Sequence, residues 1–406
     1  MNTFSTSAQL LLANDESRKG AWDLFVEVGL PTTSDEVWRY APLRDFSLDR
    51  FANFEPLTER AISTHGAELL AGPSVLIVNG AVKSTNLPNG VSIESSQAPA
   101  TLDRSPVLER YASDSFALLN LALAPQTITI TVAPGTRVSE PIALVHETTA
   151  GVNFARTHIV VGDNSHASFV EYFDGAPDAL VVPLSEYQVG EQATLELFTC
   201  QRLASTAWHI ARSTGYLEKS AKLQQSIIGL GAHYNRSRND AHLLGTAASN
   251  ELRTTFLGSG SQVQDFRTRQ YHVAARTESR LLSKGAVAGD SRCVYTGLIE
   301  IEKGAKRTDA RQTNHNLLLS STAHADSVPN LDIRENDVMC AHASTVGPLD
   351  ELQRWYLESR GVRPRDAQRL MIEGFFTEML VGAPTEIISG VREDVTRVLT
   401  EEKVVL

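Results

Sequence analysis

The stretch TITITVAPGTRVSEPIALVHETT, residues 127–149, decides the fold of this chain. At its start Thr alternates with Ile or Val, which is the pattern of a strand with one buried face. Pro134-Gly135 predicts a turn, and residues 142–146 predict the next strand. Similar short strands, separated by turns rich in Gly, Asn, Asp and Ser, recur as far as residue 347. The sequence therefore predicts a mainly β core, which we assign to residues 125–347.

Two architectures accommodate this succession of short strands. One is a β-sandwich or barrel, and the other is a parallel β-helix whose turns stack on one another. The chain carries no strict sequence repeat that would select between them. Its length slightly favours the solenoid, because each turn of a solenoid contacts only its neighbours and the structure extends freely.

The part of the chain before this core is predicted to be mostly helical. Residues 17–28 place their apolar side chains on one face of a helix, and residues 108–123 return to the same spacing. Between them, residues 75–78 (VLIV) predict a single buried strand, and Asn79-Gly80 is a strong turn signal. We assign this mixed unit to residues 1–124.

After residue 347 the spacing of apolar side chains becomes helical again. Gly361 and Pro364 separate two predicted helices, and a third amphipathic helix follows. We assign this unit to residues 348–406. Its apolar stripes are more extensive than a small appendage usually buries alone. We therefore expect them to pack on the β core, on a partner, or on both.

Composition excludes several classes of protein. The chain has 37 Lys and Arg against 48 Asp and Glu, a formal charge of −11, which argues against a dedicated nucleic-acid binder. No stretch approaches the roughly 20 apolar residues that span a bilayer. The 3 cysteines are far apart in sequence, and the N-terminus does not resemble a signal peptide. We therefore expect a cytoplasmic protein without disulfides.

Cys340-Ala341-His342 is the most suggestive chemical motif. A thiol and an imidazole two residues apart project from the same side of an extended segment, and sulfur with nitrogen suits zinc, iron–sulfur chemistry or other soft metals. A purely structural interpretation is a buried cysteine that acts as a small apolar residue beside a hydrogen-bonded histidine. Two ligands do not complete a structural zinc site, so any others would come from elsewhere in the fold or from a second chain.

Other common chemical motifs are missing from the sequence. Without GxxxxGK[ST] the chain is not expected to bind ATP through a P-loop. Without HExxH or CxxC a self-contained metal site is not supported, and without GxSxG a hydrolase of the nucleophile-elbow type is not expected. The carboxylates are numerous but scattered, and they indicate no catalytic pair.

Several motifs, taken in order, resemble a known family. They are GLP at 29–31, EVWRY at 36–40, FALLNLA at 116–122, QTNHNLLL at 312–319, PNLDI at 329–333, CAH at 340–342, TVG at 345–347 and SRG at 359–361. Their order and spacing resemble the SufB/SufD family of iron–sulfur cluster scaffold proteins. EVW near the N-terminus and TVGPLD after the CAH motif resemble the SufD branch. The resemblance covers nearly the whole chain.

The resemblance implies a right-handed parallel β-helix flanked by helical domains, and a non-enzymatic scaffold. It further implies a SufB-like partner and a SufC-like ABC ATPase, which would contact the C-terminal helical unit. His342 would then lie at a subunit interface, where the SufB-like partner supplies a cysteine, and would hold iron or a transient iron–sulfur cluster. Cys340 is a second candidate ligand on the basis of the motif itself. The side chains expected at the ATPase contact are Leu352, Trp355, Tyr356, Phe375, Phe376 and Met379.

Two other functions stay open from the sequence. One is a β-helix enzyme that acts on polysaccharides, and the other is a purely structural subunit that never binds metal. A homodimer also stays open. We expect neither nucleic acid nor membrane as a partner.

Overall fold

A parallel β-solenoid of about eight turns forms the centre of the molecule, with helices at both ends. The computed structural model describes residues 3–12, 16–52, 54, 62–96, 111, 113–149 and 151–402. The predicted helical segment at 108–123 falls partly outside these residues. The prediction of a mainly β protein with flanking helices is confirmed.

Each turn of the solenoid contributes one strand to each of two sheets. In spatial order, the first sheet contains β2 (Ala81–Asn86), β1 (Ser74–Val78), β5 (Ile142–Thr148), β8 (His166–Gly175), β11 (Thr194–Gln201), β13 (Lys222–Gly229), β15 (Ser249–Gly258), β17 (Glu278–Val287), β19 (Thr308–Leu318) and β21 (Val338–Gly347). The second contains β20 (His324–Ile333), β18 (Arg292–Ile301), β16 (Val263–His272), β14 (Tyr234–Leu243), β12 (Trp208–Leu217), β10 (Leu184–Val189), β7 (Arg156–Val161), β4 (Thr127–Val132) and β3 (Val91–Ser96). The short strands β6 (Val152–Asn153) and β9 (Leu180–Val181) pair with each other, and β9 also pairs with β12.

The interior of the solenoid changes character along its axis. In the first turns it is apolar: Ile128, Ile130 and Val132 of β4 are fully buried, as the alternation predicts. Further along, amides and hydroxyls share the interior with apolar side chains such as Phe256 and Phe266. These polar groups bond to one another, as when Asn250 Nδ2 donates to Gln270 Oε1 at 2.7 Å. Buried polar groups of this kind need partners, because an unmade hydrogen bond in the interior is costly.

The N-terminal unit supplies both helices and the first strands of the solenoid. Its helices are α1 (Thr3–Leu12), α2 (Glu16–Val28), α3 (Thr64–Leu69) and α4 (Ser115–Leu123), with short 3-10 turns at Glu36–Trp38, Leu43–Asp45 and Leu48–Phe51. The predicted turn at Asn79-Gly80 joins β1 and β2, and both of its residues have positive φ, 50° and 83°. Strand β1 pairs in parallel with β5, and β3 pairs antiparallel with β4, so residues 74–96 contribute strands to the two sheets.

The C-terminal unit comprises three helices, α5 (Glu351–Ser359), α6 (Pro364–Thr377) and α7 (Thr385–Glu401), with a 3-10 turn at Glu378–Leu380. Ile372 of α6 and Val391 and Val395 of α7 pack on the outer face of the first sheet in one buried cluster. Arg202 of the solenoid fixes α7 through a 3.1 Å ion pair with Asp394. No helix in the described part of the chain is long and apolar enough to cross a bilayer.

Candidate functional site

The predicted donor pair lies on the last turn of the solenoid. This turn consists of β20 and β21, which are the terminal strands of the two sheets as described. Cys340 pairs in register with Ala310 of β19, and His342 with Gln312. Because Ala310 and Gln312 are buried inside the solenoid, Cys340 and His342 both face its interior side at the open end. The structure thus places the two side chains on the same face of one strand, as the spacing predicts.

The two donors differ in their surroundings. Cys340 is half-buried and packs on a small apolar cluster that contains Ile299 and Ile301. This burial, together with the nearby charge of Asp309, raises the pKa of the Cys340 thiol above its ordinary value. The thiol is therefore protonated at neutral pH and would lose its proton on binding a metal. His342 is exposed.

Several charged side chains around the last turn form ion pairs with one another. Arg334 bonds to Asp332 at 2.6 Å and to Glu302 at 2.7 Å, and Arg292 bonds to Asp326 at 2.6 Å. Among the described residues, no three His, Cys, Asp or Glu side chains are grouped so that they could hold a metal ion. Cys340 and His342 therefore form an incomplete donor set within the described part of the chain.

The same end of the solenoid exposes apolar side chains. The exposed fractions are 37% for Val328, 38% for Leu331, 42% for Ile333, 60% for Met339 and 41% for Val346. Ser344 Oγ donates to Ser327 Oγ at 2.8 Å and so links the two terminal strands. We call these exposed residues, with the outer edges of β20 and β21, the terminal edge. A strand edge with apolar side chains favours pairing with another chain.

Helix α5 presents three of the six predicted partner-binding residues to solvent. Leu352, Trp355 and Tyr356 are 73%, 64% and 53% exposed, and no residue of this helix is buried. Phe375 of α6 is partly buried. Its ring lies 4.7 Å from Lys284 Nζ, which also donates to the Phe375 carbonyl at 3.0 Å.

Phe376 and Met379, which the sequence predicts to bind a partner, are instead buried within the chain. Phe376 is 1% exposed and Met379 is fully buried. Phe376 packs with Ile372 and Val391 in the cluster between the C-terminal helices and the solenoid. Helical periodicity shows that these side chains share an apolar face, but it cannot show that the chain's own sheet covers that face.

Sequence reasoning did not identify the exposed apolar residues of the terminal edge. Leu331 and Ile333 have the same orientation on β20, and this i, i+2 spacing is visible in PNLDI. The sequence does not show that β20 is the last strand of its sheet. Leu331 and Ile333 are exposed because no further strand follows β20 in its sheet as described, and the residue types alone do not reveal this.

The chain is similar in sequence to proteins of one known family. Residues 144–375 match the family model described as "SUF system FeS cluster assembly, SufBD core domain". The chain is 28% identical over 366 residues to the iron-sulfur cluster assembly protein SufD of Escherichia coli, with 87% of this chain and 85% of that protein covered. It is also 28% identical over 292 residues to SufD of Bacillus subtilis, with 70% of this chain and 66% of that protein covered. An iron-sulfur cluster assembly SufBD family protein of Mycobacterium tuberculosis is 26% identical over 381 residues, which cover 92% of this chain and 89% of that protein.

The solenoid and the family match define the class: the chain belongs to the SufB/SufD family of iron–sulfur cluster assembly proteins. Within the family, the similarity to the E. coli and B. subtilis proteins supports the SufD branch.

Proposed function

We propose that this chain is a SufD-like scaffold subunit that assists iron–sulfur cluster assembly and catalyses no reaction itself. The observation that carries the proposal is the position of Cys340 and His342 on the terminal strand β21. A sulfur and a nitrogen donor at an open strand edge, without further ligands grouped around them in the described residues, suit a metal shared with a second chain. Iron or a nascent cluster is then a transient cargo.

The terminal edge is the proposed contact with a SufB-like subunit. Main-chain groups on the outer edges of β20 and β21 would continue the two sheets into the partner, and Leu331, Met339 and Val346 would be covered. This arrangement would place His342 and Cys340 at the seam between the two chains. Ligands from the partner would complete the coordination.

The exposed face of α5 is the proposed contact with a SufC-like ABC ATPase. Leu352, Trp355 and Tyr356 form an aromatic and apolar surface of the kind enriched in protein interfaces. The sequence has no P-loop of its own, so ATP-driven movement would come from that subunit.

Cluster content of a reconstituted complex tests the proposal. The chain is co-expressed with the SufB-like protein and the ABC ATPase of the same organism and purified anaerobically. Iron and sulfide per complex are then measured together with the visible absorption. We expect His342→Ala to lower cluster content at least about tenfold while the complex stays intact. The control is His315→Ala on β19, whose side chain faces away from the solenoid interior.

Each possible result has a clear meaning. Unchanged cluster content in His342→Ala would leave the chain as a purely structural subunit. Failure of the three proteins to form a complex would contradict the proposed contacts themselves. Loss of cluster in both histidine variants would indicate a general defect and would argue against a specific role for His342.

A further inference from the structure

A small cavity of about 30 Å³ lies inside the solenoid, several turns away from the terminal edge. Its wall includes side chains from both sheets, among them Glu171 of β8, Thr199 of β11, His209 of β12 and Asn235 of β14. Glu171 and His209 are each 2% exposed, and Asn235 is 1% exposed. The cavity is therefore polar although it lies in the interior of the protein.

A chain of hydrogen bonds defines which nitrogen of His209 carries the proton. The Gly231 carbonyl can only accept, so Gln264 Nε2 donates to it at 3.3 Å. Gln264 Oε1 then accepts from Asn235 Nδ2 at 2.7 Å. This leaves Asn235 Oδ1 as the acceptor of the 2.8 Å bond from His209 Nδ1. The proton of neutral His209 is thus on Nδ1, and Nε2 carries a lone pair.

Two acceptors in this cavity wall have no donor among the described residues. His209 Nε2 and Glu171 Oε1 are both buried and make no hydrogen bond. The His146 ring nitrogen nearest to Glu171 Oε1 is 3.7 Å away, which is beyond hydrogen-bond distance. Burial lowers the pKa of His209 to about 4, so the ring stays neutral near pH 7. Unpaired acceptors at this depth are costly unless a bound molecule supplies the hydrogens.

We infer that this cavity binds one or two water molecules that donate hydrogen bonds to His209 Nε2 and Glu171 Oε1. The volume supports this ligand, because one water needs about 10–15 Å³ of such space and the cavity provides about 30 Å³. The chemistry supports it as well, since the wall needs a donor and an anion would face a carboxylate. The inference is independent of the proposed cluster-assembly role.

A high-resolution crystal structure of the full chain tests this inference. We expect electron density about 2.7–3.2 Å from His209 Nε2. His272 is the internal control. It is fully buried too, but its ring nitrogens contact Thr277 Oγ1 at 2.8 Å and Ser279 Oγ at 2.9 Å, so we expect no water there. An empty cavity, or one that takes up xenon under pressure as dry apolar cavities do, would overturn the inference.

A variant and a solution measurement extend the test. Phe keeps an aromatic ring at this position but has no ring nitrogen to accept a hydrogen bond, so His209→Phe should lose the water next to that position. Magnetic relaxation of water oxygen-17 counts long-lived internal waters, and we expect a lower count in the variant. An unchanged count, with the same density in the crystal, would contradict the assignment. Should His209→Phe not fold, the comparison of His209 with His272 in the native crystal decides alone.

Discussion

The guanidinium carbon of Arg236 lies 3.9 Å from the centre of the Trp38 ring. Arg236 belongs to β14 of the solenoid, and Trp38 belongs to the EVWRY motif of the N-terminal unit. The same guanidinium donates to the Val37 carbonyl at 3.0 Å and pairs with Asp265 at 2.5 Å. The buried guanidinium of Arg236 thus contacts an aromatic ring, a carbonyl and a carboxylate. The ring and the carbonyl belong to the N-terminal unit.

Trp38→Ala tests this docking. Trp38 is 8% exposed, and truncation of a buried aromatic side chain typically costs about 3–5 kcal/mol of unfolding free energy. Urea denaturation followed by fluorescence and by circular dichroism measures the loss. Val37→Ala is the control, because that side chain is 51% exposed and its removal should change stability by less than about 0.5 kcal/mol. Equal stability of Trp38→Ala and the native chain would mean that the contact does not hold the unit in place.

Asn120 links helix α4 to the solenoid. It is fully buried, and its Nδ2 donates to the carbonyls of Ala155 at 2.8 Å and Val182 at 2.7 Å. We expect Asn120→Leu to lower the unfolding free energy by about 1–3 kcal/mol, because two buried bonds are lost. Asn120→Asp should cost more, since a carboxylate would face two carbonyl oxygens without a donor. The order of the two denaturation midpoints is the measurement, and a more stable Asp variant would contradict the assigned bonds.

Substitutions of Trp355 and Phe376 should have different effects, the first on ATPase binding and the second on the stability of the chain. We expect Trp355→Ala to weaken binding of the ABC ATPase at least about tenfold, as hot-spot aromatics do, with an unchanged melting temperature. Phe376→Ala should instead destabilise the chain by about 3–5 kcal/mol, because its ring is buried between the helices and the solenoid. Calorimetric titration with the purified ATPase and thermal melting give the two values. Undiminished ATPase binding by Trp355→Ala would rule out this face of α5 as the contact.

The stability of the chain should fall on acidification below about pH 6.5. Burial lowers the pKa of both His209 and His272 to about 4. Unfolding returns each pKa to about 6.5, so between these values the unfolded state binds more protons and is favoured as the pH falls. Each histidine contributes about 3 kcal/mol of unfolding free energy above pH 6.5, and this contribution is lost by about pH 4.

Urea denaturation at pH 7.0 and pH 4.5 measures this effect. His272→Gln should reduce the difference between the two pH values, since one titrating group is removed. Gln270→Leu is the control: the residue is 1% exposed and does not titrate, so its replacement should lower stability equally at both pH values. An unchanged pH difference in His272→Gln would show that this histidine does not drive the acid sensitivity.

The repeat of the solenoid is not visible in the residue identities, but it is visible in the backbone φ angles. Six corner residues with positive φ follow one another at intervals of 27 to 31 residues: Asn164, Gln192, Ser220, Ala247, Arg276 and Arg307. Glycine or asparagine would be the usual residues there, and only one of the six is either. The choice between sandwich and solenoid therefore could not come from the repeat and depended on the family resemblance.

Strands with polar interiors were also hard to predict. Residues 234–243 (YNRSRNDAHL) and 263–272 (VQDFRTRQYH) form β14 and β16, although neither alternates apolar with polar side chains. Several of their interior side chains, such as Asn235 and Gln270, form hydrogen bonds with neighbouring turns. The sequence alone does not show these partners. In contrast, the i, i+2 spacing of Cys340 and His342 was sufficient to place them on one face.

The two ends of the solenoid differ in strand direction, and this difference limits how many chains can associate through their sheet edges. At one end β2 and β3 run antiparallel to their neighbours, whereas at the other end β20 and β21 continue the parallel order. A second solenoid that joins through the parallel end buries both parallel ends in the same contact. The outer edges of the resulting pair are then the antiparallel strands β2 and β3 of each chain. Such a contact closes on itself at two chains, whereas head-to-tail addition would propagate into a filament.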